Sequence, residues 1–164
     1  MLEFDAVRAW LAGFATSPLG TERIAALEPR RDAAWIARQH QLTKELRVYL
    51  RAGGRFEFAG LTPPGELLEL ARIRGAALEL EQIRDLLVLA DRAMQWRQIG
   101  LHPPVDLREG WPAVDELTRQ LADLNGFIGY FKNKIHPDGT LDDHASPELA
   151  RLRREIEKQK RSIQ

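Results

Sequence analysis

Ser146-Pro147-Glu148-Leu149-Ala150-Arg151-Leu152-Arg153-Arg154-Glu155-Ile156-Glu157-Lys158-Gln159-Lys160-Arg161-Ser162-Ile163-Gln164 closes the chain, and its pattern is the plainest in the molecule. Ser146 offers a side-chain oxygen to a first-turn amide, Pro147 needs no amide hydrogen at the first helical position, and Glu148 sits where the helix dipole favours negative charge. Together they predict a helix from Pro147. Leu149, Leu152, Ile156, Gln159 and Ile163 then recur at alternating steps of three and four, the period of a coiled-coil seam. No Gly, Asn or Pro follows to end the helix, so it reads as one that continues past Gln164. The seam is short for a coiled coil, and an amphipathic helix lying on the domain's own surface fits the same residues.

Upstream, His136-Pro137-Asp138-Gly139-Thr140 carries the chemistry of a chain reversal. The segments before it also have helical period. Phe4, Val7, Leu11 and Phe14 line one face of a first helix. Ser17-Pro18 caps a second that Pro29 closes, and Asp32 opens a third whose stripe is Trp35, Gln39, Leu42, Leu46 and Tyr49, ending at Gly53-Gly54. Residues 55–65 read as loop, Gly65 to Ile73 as a short helix, and Leu78 to Ile99 as a long one with a stripe of Ile83, Leu86, Leu87, Ala90 and Met94, stopped by Gly100. After the His102-Pro103-Pro104 connector, Pro112 opens a helix with Val114, Leu117, Leu121 and Leu124 in heptad-like register; Asn125-Gly126 breaks it, and Phe127, Ile128, Phe131 and Ile135 continue its apolar face. The fold class predicted is all-α: an irregular helical bundle over 1–145, then the start of a long amphipathic exit helix over 146–164.

Composition bounds the function. The chain has 164 residues, 44% hydrophobic and 29% charged, enough to bury a core and too apolar for a disordered segment. With no Cys there is neither a disulfide nor a thiolate ligand or nucleophile. Acids at Glu3 and Asp5 stand where a signal peptide places bases, and the longest aliphatic run, Leu86 to Ala90, is far short of the roughly 20 residues of a membrane span. A soluble, cytoplasmic protein without a membrane partner is the expectation.

Catalytic constellations are missing from the pattern. No Gly is followed by Lys, which excludes the usual phosphate loop, and no Glu has His three positions on, which excludes the helical di-metal motif. His136, Asp142, Asp143 and His144 gather near one turn, as a metal site or a solvated loop does. Glu66, Glu69, Glu79, Glu81 and Asp85 read as a solvated helix face paired with Arg72, Arg74 or Arg84 rather than as acid/base carboxylates. Trp10, Trp35, Trp96 and Trp111 fall at core-compatible positions on separate helices and are not interleaved with bases as a stacking platform would be. No catalytic, cofactor-binding or metal residue is assigned.

Lys plus Arg number 24 and Asp plus Glu number 24, yet residues 146–164 hold six bases and three acids, leaving +3 there and −3 in the remainder. Lys132, Lys134, Arg151, Arg154, Lys158 and Arg161 are therefore the candidate contacts to a phosphate backbone. Mixed charge on a coiled-coil surface accounts for the same residues without a partner. Leu149, Leu152, Ile156 and Ile163 are the candidate helix-packing seam, through which two copies can associate weakly.

Two blocks carry a family resemblance. Leu2-Glu3-Phe4-Asp5, Ser17-Pro18-Leu19-Gly20-Thr21-Glu22 and Leu27-Glu28-Pro29 resemble the opening of the type-two bacterial MutS proteins. Asp138-Gly139-Thr140-Leu141, Asp143 and Ala145-Ser146-Pro147-Glu148-Leu149 with Arg153 downstream resemble that family's approach to its long lever helix, although His144 stands where a small or acidic residue is commoner. The middle matches in helical character and in Gly53-Gly54. The resemblance implies the N-terminal core and lever region of a longer protein with a clamp, a dimeric ATPase using ATP and Mg, and commonly a C-terminal Smr endonuclease domain. The family lacks the mismatch-reading domain of true MutS, and no Phe here has Glu two residues on. It implies partners too: the rest of the polypeptide, branched DNA in suppressing recombination and in repair, or collided ribosomes in their rescue. The fragment itself is expected to be non-catalytic and mechanical. The alternative is a self-contained helical adaptor that dimerises through its last helix.

Overall fold

The structure is a computed structural model that describes residues 3–102, 110–136 and 140–163, with Ser162 and Ile163 described as helical backbone only. Eight helices follow in chain order: α1 (Phe4–Ala12), α2 (Pro18–Ala25), α3 (Ala33–Arg51), α4 (Gly65–Arg72), α5 (Leu80–Leu101), α6 (Pro112–Arg119), α7 (Asn125–Phe131) and α8 (Pro147–Ile163). The described residues form no sheet; Ile135 and Leu141 make one isolated antiparallel bridge. The all-α class predicted from periodicity is what the chain adopts.

Capping chemistry starts several helices where the sequence predicts. Ser17 Oγ accepts from Gly20 N at 3.2 Å, Asp32 Oδ1 from Trp35 N at 3.0 Å, and Ser146 Oγ from Leu149 N at 3.1 Å. Glu79 and Gln82 form a reciprocal capping box at α5, with Glu79 N donating to Gln82 Oε1 at 2.8 Å. At the far end of α3, Gly53 adopts φ +88°, the left-handed turn that glycine permits.

The core lies where α3, α5 and α6 meet. Tyr49, Trp111 and Val114 are buried together, with Leu42, Leu46, Phe56 and Ile99 packed around them. Glu45, one turn before Tyr49, is only 4% exposed. Its carboxylate accepts from Ala113 N at 3.2 Å and Val114 N at 2.9 Å, the first-turn amides of α6, and from Gln41 Nε2 at 2.8 Å. A helix end supplies unpaired N–H groups and a partial positive charge, so this acid is matched by its surroundings. Across the joint Trp111 Nε1 donates to Gly100 O at 3.0 Å.

Four readings are corrected. Gly100 does not stop α5, which runs through Leu101; it is buried, and a Cβ there would overlap Thr118, so glycine serves close helix approach. The helix opened by Pro112 ends at Arg119, leaving Leu121 and Leu124 outside it, and Asn125 begins α7 instead of breaking a longer helix. Asp123 explains that start: its Oδ1 accepts from Asn125 N at 2.9 Å, and this bond holds the carboxyl below its usual pKa. α2 ends at Ala25, short of Pro29. Trp10 and Phe14 are 66% and 67% exposed, stacked edge to face on α1 and the turn after it, while α2 is the helix that α1 packs closely against among the described residues.

The accessible surface is 12950 Å². A compact monomer of this mass exposes about 8300 Å². The excess reflects a thin core: α4 and α8 form no close helix pair among the described residues.

The joint sets the expected stability effects. Glu45→Gln places an amide donor against an amide donor and should lower unfolding free energy by about 2–3 kcal/mol, with Tm down roughly 5–10 °C. Glu155→Gln, on the exposed side of α8, should stay within about 0.5 kcal/mol. Urea unfolding of the two variants checks this; equal midpoints would remove the joint from its role. Gly100→Ala should cost about 1–3 kcal/mol through overpacking against Thr118.

Candidate nucleic-acid interface on the last helix

α8 leaves the core through a short antiparallel link. Asp142 N donates to Lys134 O at 2.9 Å and His136 N to Thr140 O at 2.8 Å, on either side of the Ile135–Leu141 bridge. Arg153 then reaches back from the second turn of α8, donating to Leu141 O at 3.3 Å and pairing with the Asp143 carboxylate. Both side chains remain partly solvated, so the pair adds little stability and acts on direction, setting the angle at which the helix departs. The Asp143 and Arg153 of the sequence motif are thus partners, with the Ser146 cap between them.

The helix has two unlike faces. Leu149, Leu152 and Ile156 share one side; Leu149 is half-buried, while Leu152 and Ile156 are 44% and 50% exposed. The Ile163 side chain lies outside the described residues. Arg154, Lys158 and Arg161, spaced by four and three, share the opposite side and line a groove of about 600 Å³ with Arg153, Asp143 and His144. Glu157 at this groove is drawn to Lys160 at 3.5 Å, and Arg154 Nε donates to Ala150 O at 3.0 Å. Lys158 and Arg161 have no ion-pair partner among the described residues, which leaves a positive stripe facing solvent.

Three of the six candidate phosphate contacts are therefore brought together and three are not. Arg151 lies outside that groove and pairs with Glu148 at 2.7 Å. Lys134 Nζ stands 3.5 Å from the centroid of the Tyr130 ring, a cation–π contact, and Lys132 lines a separate groove between α5 and α7. His144 and Arg153 join the stripe although sequence reasoning did not assign them to it. The motif spacing carried the signal for Arg153; His144 is placed by its turn, where its N–H donates to Asp142 Oδ1 at 2.7 Å. No group of three or more His, Asp and Glu gathers at metal-binding range among the described residues; His136 Nε2 stands 3.5 Å from Asp142 Oδ2. Glu69 and Glu81 pair with Arg72 and Arg84, as solvated helix faces do.

Over 155 residues the chain is 35% identical to Endonuclease MutS2 of Pelotomaculum thermopropionicum, covering 94% of this chain and 19% of that protein. Endonuclease MutS2 of Gemmatimonas aurantiaca is 31% identical over 159 residues, and that of Aquifex aeolicus 30% over 155, each again with 19% of its length covered. These residues are similar to one region of the MutS2 relatives. The chain spans about a fifth of the length of these relatives. No family model matches it. No helix among the described residues is long and apolar enough to cross a membrane.

The half-exposed seam has a measurable consequence. Exposed aliphatic side chains forfeit roughly 1.5–3 kcal/mol each of possible burial, enough to drive weak pairing of two exit helices. Light scattering over a dilution series should show self-association at micromolar concentration or above, lost in Leu152→Glu/Ile156→Glu, while the unfolding free energy of the monomer stays within about 0.5 kcal/mol. A tight dimer indifferent to both changes would put the interface elsewhere.

Proposed function

We propose that these 164 residues act as the core and first lever segment of a type-two MutS protein that lacks a mismatch-reading domain, and that α8 contacts a nucleic-acid backbone through Arg154, Lys158 and Arg161. The observation that carries the reading is the cationic stripe on α8, set opposite an apolar stripe and aimed by the Asp143–Arg153 pair. The relatives' name, Endonuclease MutS2, supplies the DNA context. Residues 1–145 serve as a rigid base and the helix from Ser146 as the moving arm. Suppression of recombination on branched DNA or action on collided ribosomes would then belong to the longer protein, in which the chain's other partner is the rest of its own polypeptide.

ATP and Mg, which that family implies, do not fit the residues described. The positive-φ Gly110 precedes α6, but the first-turn amides of that helix already bind the Glu45 carboxylate, where a phosphate would otherwise sit. We assign nucleotide chemistry and DNA cutting to parts of the longer protein outside this sequence. A second reading, an adaptor that dimerises through Leu149, Leu152 and Ile156, is favoured by the exposure of that seam.

Fluorescence anisotropy with a labelled duplex and a labelled branched junction tests the first reading. Three neutralised phosphates give a log–log salt slope of about −2.7, hence a roughly fortyfold loss of affinity between about 50 and 200 mM salt. Binding should be micromolar or weaker, independent of sequence, and abolished by the triple reversal Arg154→Glu/Lys158→Glu/Arg161→Glu. Arg151→Glu should change it by no more than about twofold, because that residue lies outside the groove. Binding that survives high salt or the triple reversal would refute the proposed contact.

A further inference from the structure

A second groove, of about 640 Å³, runs between α5 and α7 and has no part in the function proposed above. Its floor is apolar: Leu87 and Val88 from α5, Ile128 and Phe131 from α7, and Ile135 from the bridge. Val88 is 38% exposed, so the floor is open to solvent. Its rim carries Arg84, Arg92 and Lys132 against one carboxylate, Asp91.

The charges on that rim are unequally matched. Arg84 meets Glu81 at 3.3 Å on an exposed helix face, a weak pair. Arg92 Nη1 donates to the neutral Gln95 Oε1 at 3.0 Å, and Gln95 Nε2 in turn donates to Asp91 at 2.6 Å, so the amide engages the acid that faces Arg92. Lys132 has no ion-pair partner among the described residues. The rim is net positive, and Arg84, Val88 and Arg92 repeat every four residues in one row along α5. At 1.5 Å per residue the two guanidinium bases are about 12 Å apart along the axis, two helical turns, with an aliphatic residue between them.

We propose that this groove docks an acidic amphipathic helix of a partner protein, its apolar face over Val88 and Phe131 and its carboxylates, two turns apart, on Arg84 and Arg92, with Lys132 closing the other rim. Charge complementarity identifies the occupant. An aliphatic floor between two helices suits helix-in-groove recognition. A nucleic acid would want successive planar rings to stack on, whereas the floor offers only Phe131.

The probe is a fluorescein-labelled synthetic helix about 18 residues long, five turns, with Leu at three- and four-residue spacing and Glu flanking the Leu stripe. Controls are the same peptide with Lys for Glu and a labelled oligothymidylate. Anisotropy titration with the whole chain should show the Glu peptide binding at micromolar levels, at least about tenfold tighter than the Lys peptide. Arg84→Glu/Arg92→Glu should weaken it about tenfold, and so should Val88→Asp, an exposed change that circular dichroism can verify as folded. The α8 triple reversal should leave it unchanged, which separates this groove from the nucleic-acid contact. Failure of the Glu peptide to bind, equal binding of the Lys peptide, or binding at this groove by the oligonucleotide alone would overturn the proposal.

Discussion

The Glu45 carboxylate sits among the first-turn amides of α6, and the joint between α3, α5 and α6 is built around that contact. Burying an acid is unfavourable unless donors replace water. Here they do: two helix amides and one side-chain amide converge on it, and the helix end adds its own positive potential. The same helix carries Trp111 at its cap and Thr118 on its second turn, so fixing its first turn also fixes the Trp111–Gly100 bond and the close approach of Thr118 to Gly100. Few residues are fully buried in this chain, which makes a directional contact count for more than it would inside a thick core.

From that joint outward the structure loosens. α7 is held to α5 and α1 to α2, whereas α8 forms no close helix pair among the described residues and is tied at its start by its cap and by Arg153. In the function proposed above α8 is the arm, and its two unlike faces, Leu152–Ile156 and Arg154–Lys158–Arg161, are assigned to a helix and to phosphate respectively.

Sequence periodicity and caps made the class and most helix starts legible, because Ser17, Asp32 and Ser146 act through local hydrogen bonds and Pro112 through its fixed backbone angle at the first helical position. What stayed hidden was tertiary. Gly100 looked like a stop because a glycine's local preference is to end helices; it is kept inside one by Thr118 from sequence-distant α6. The sequence pattern does not single out Glu45, since nothing nearby in sequence reveals a helix end that arrives with Ala113 and Val114. Of the candidate phosphate contacts, helical spacing could group Arg154, Lys158 and Arg161, but only the fold shows Arg151 tied to Glu148 and Lys134 to Tyr130. Trp10 on α1 and Phe14 in the turn after it carry core-like chemistry at positions that the fold leaves largely exposed.

Residue-resolved amide hydrogen exchange, with and without a DNA duplex, addresses both halves of the account at once. First-turn amides ordinarily exchange fast, so protection of Ala113 and Val114 near the level of global unfolding, with or without DNA, is the signature of the Glu45 joint. Amides of α8 beyond Arg154 should exchange quickly in the free chain and slow when duplex is added. Rapid exchange at Ala113 and Val114, or slowing by DNA that spares α8 and falls on the core, would contradict a rigid joint bearing a nucleic-acid-contacting arm.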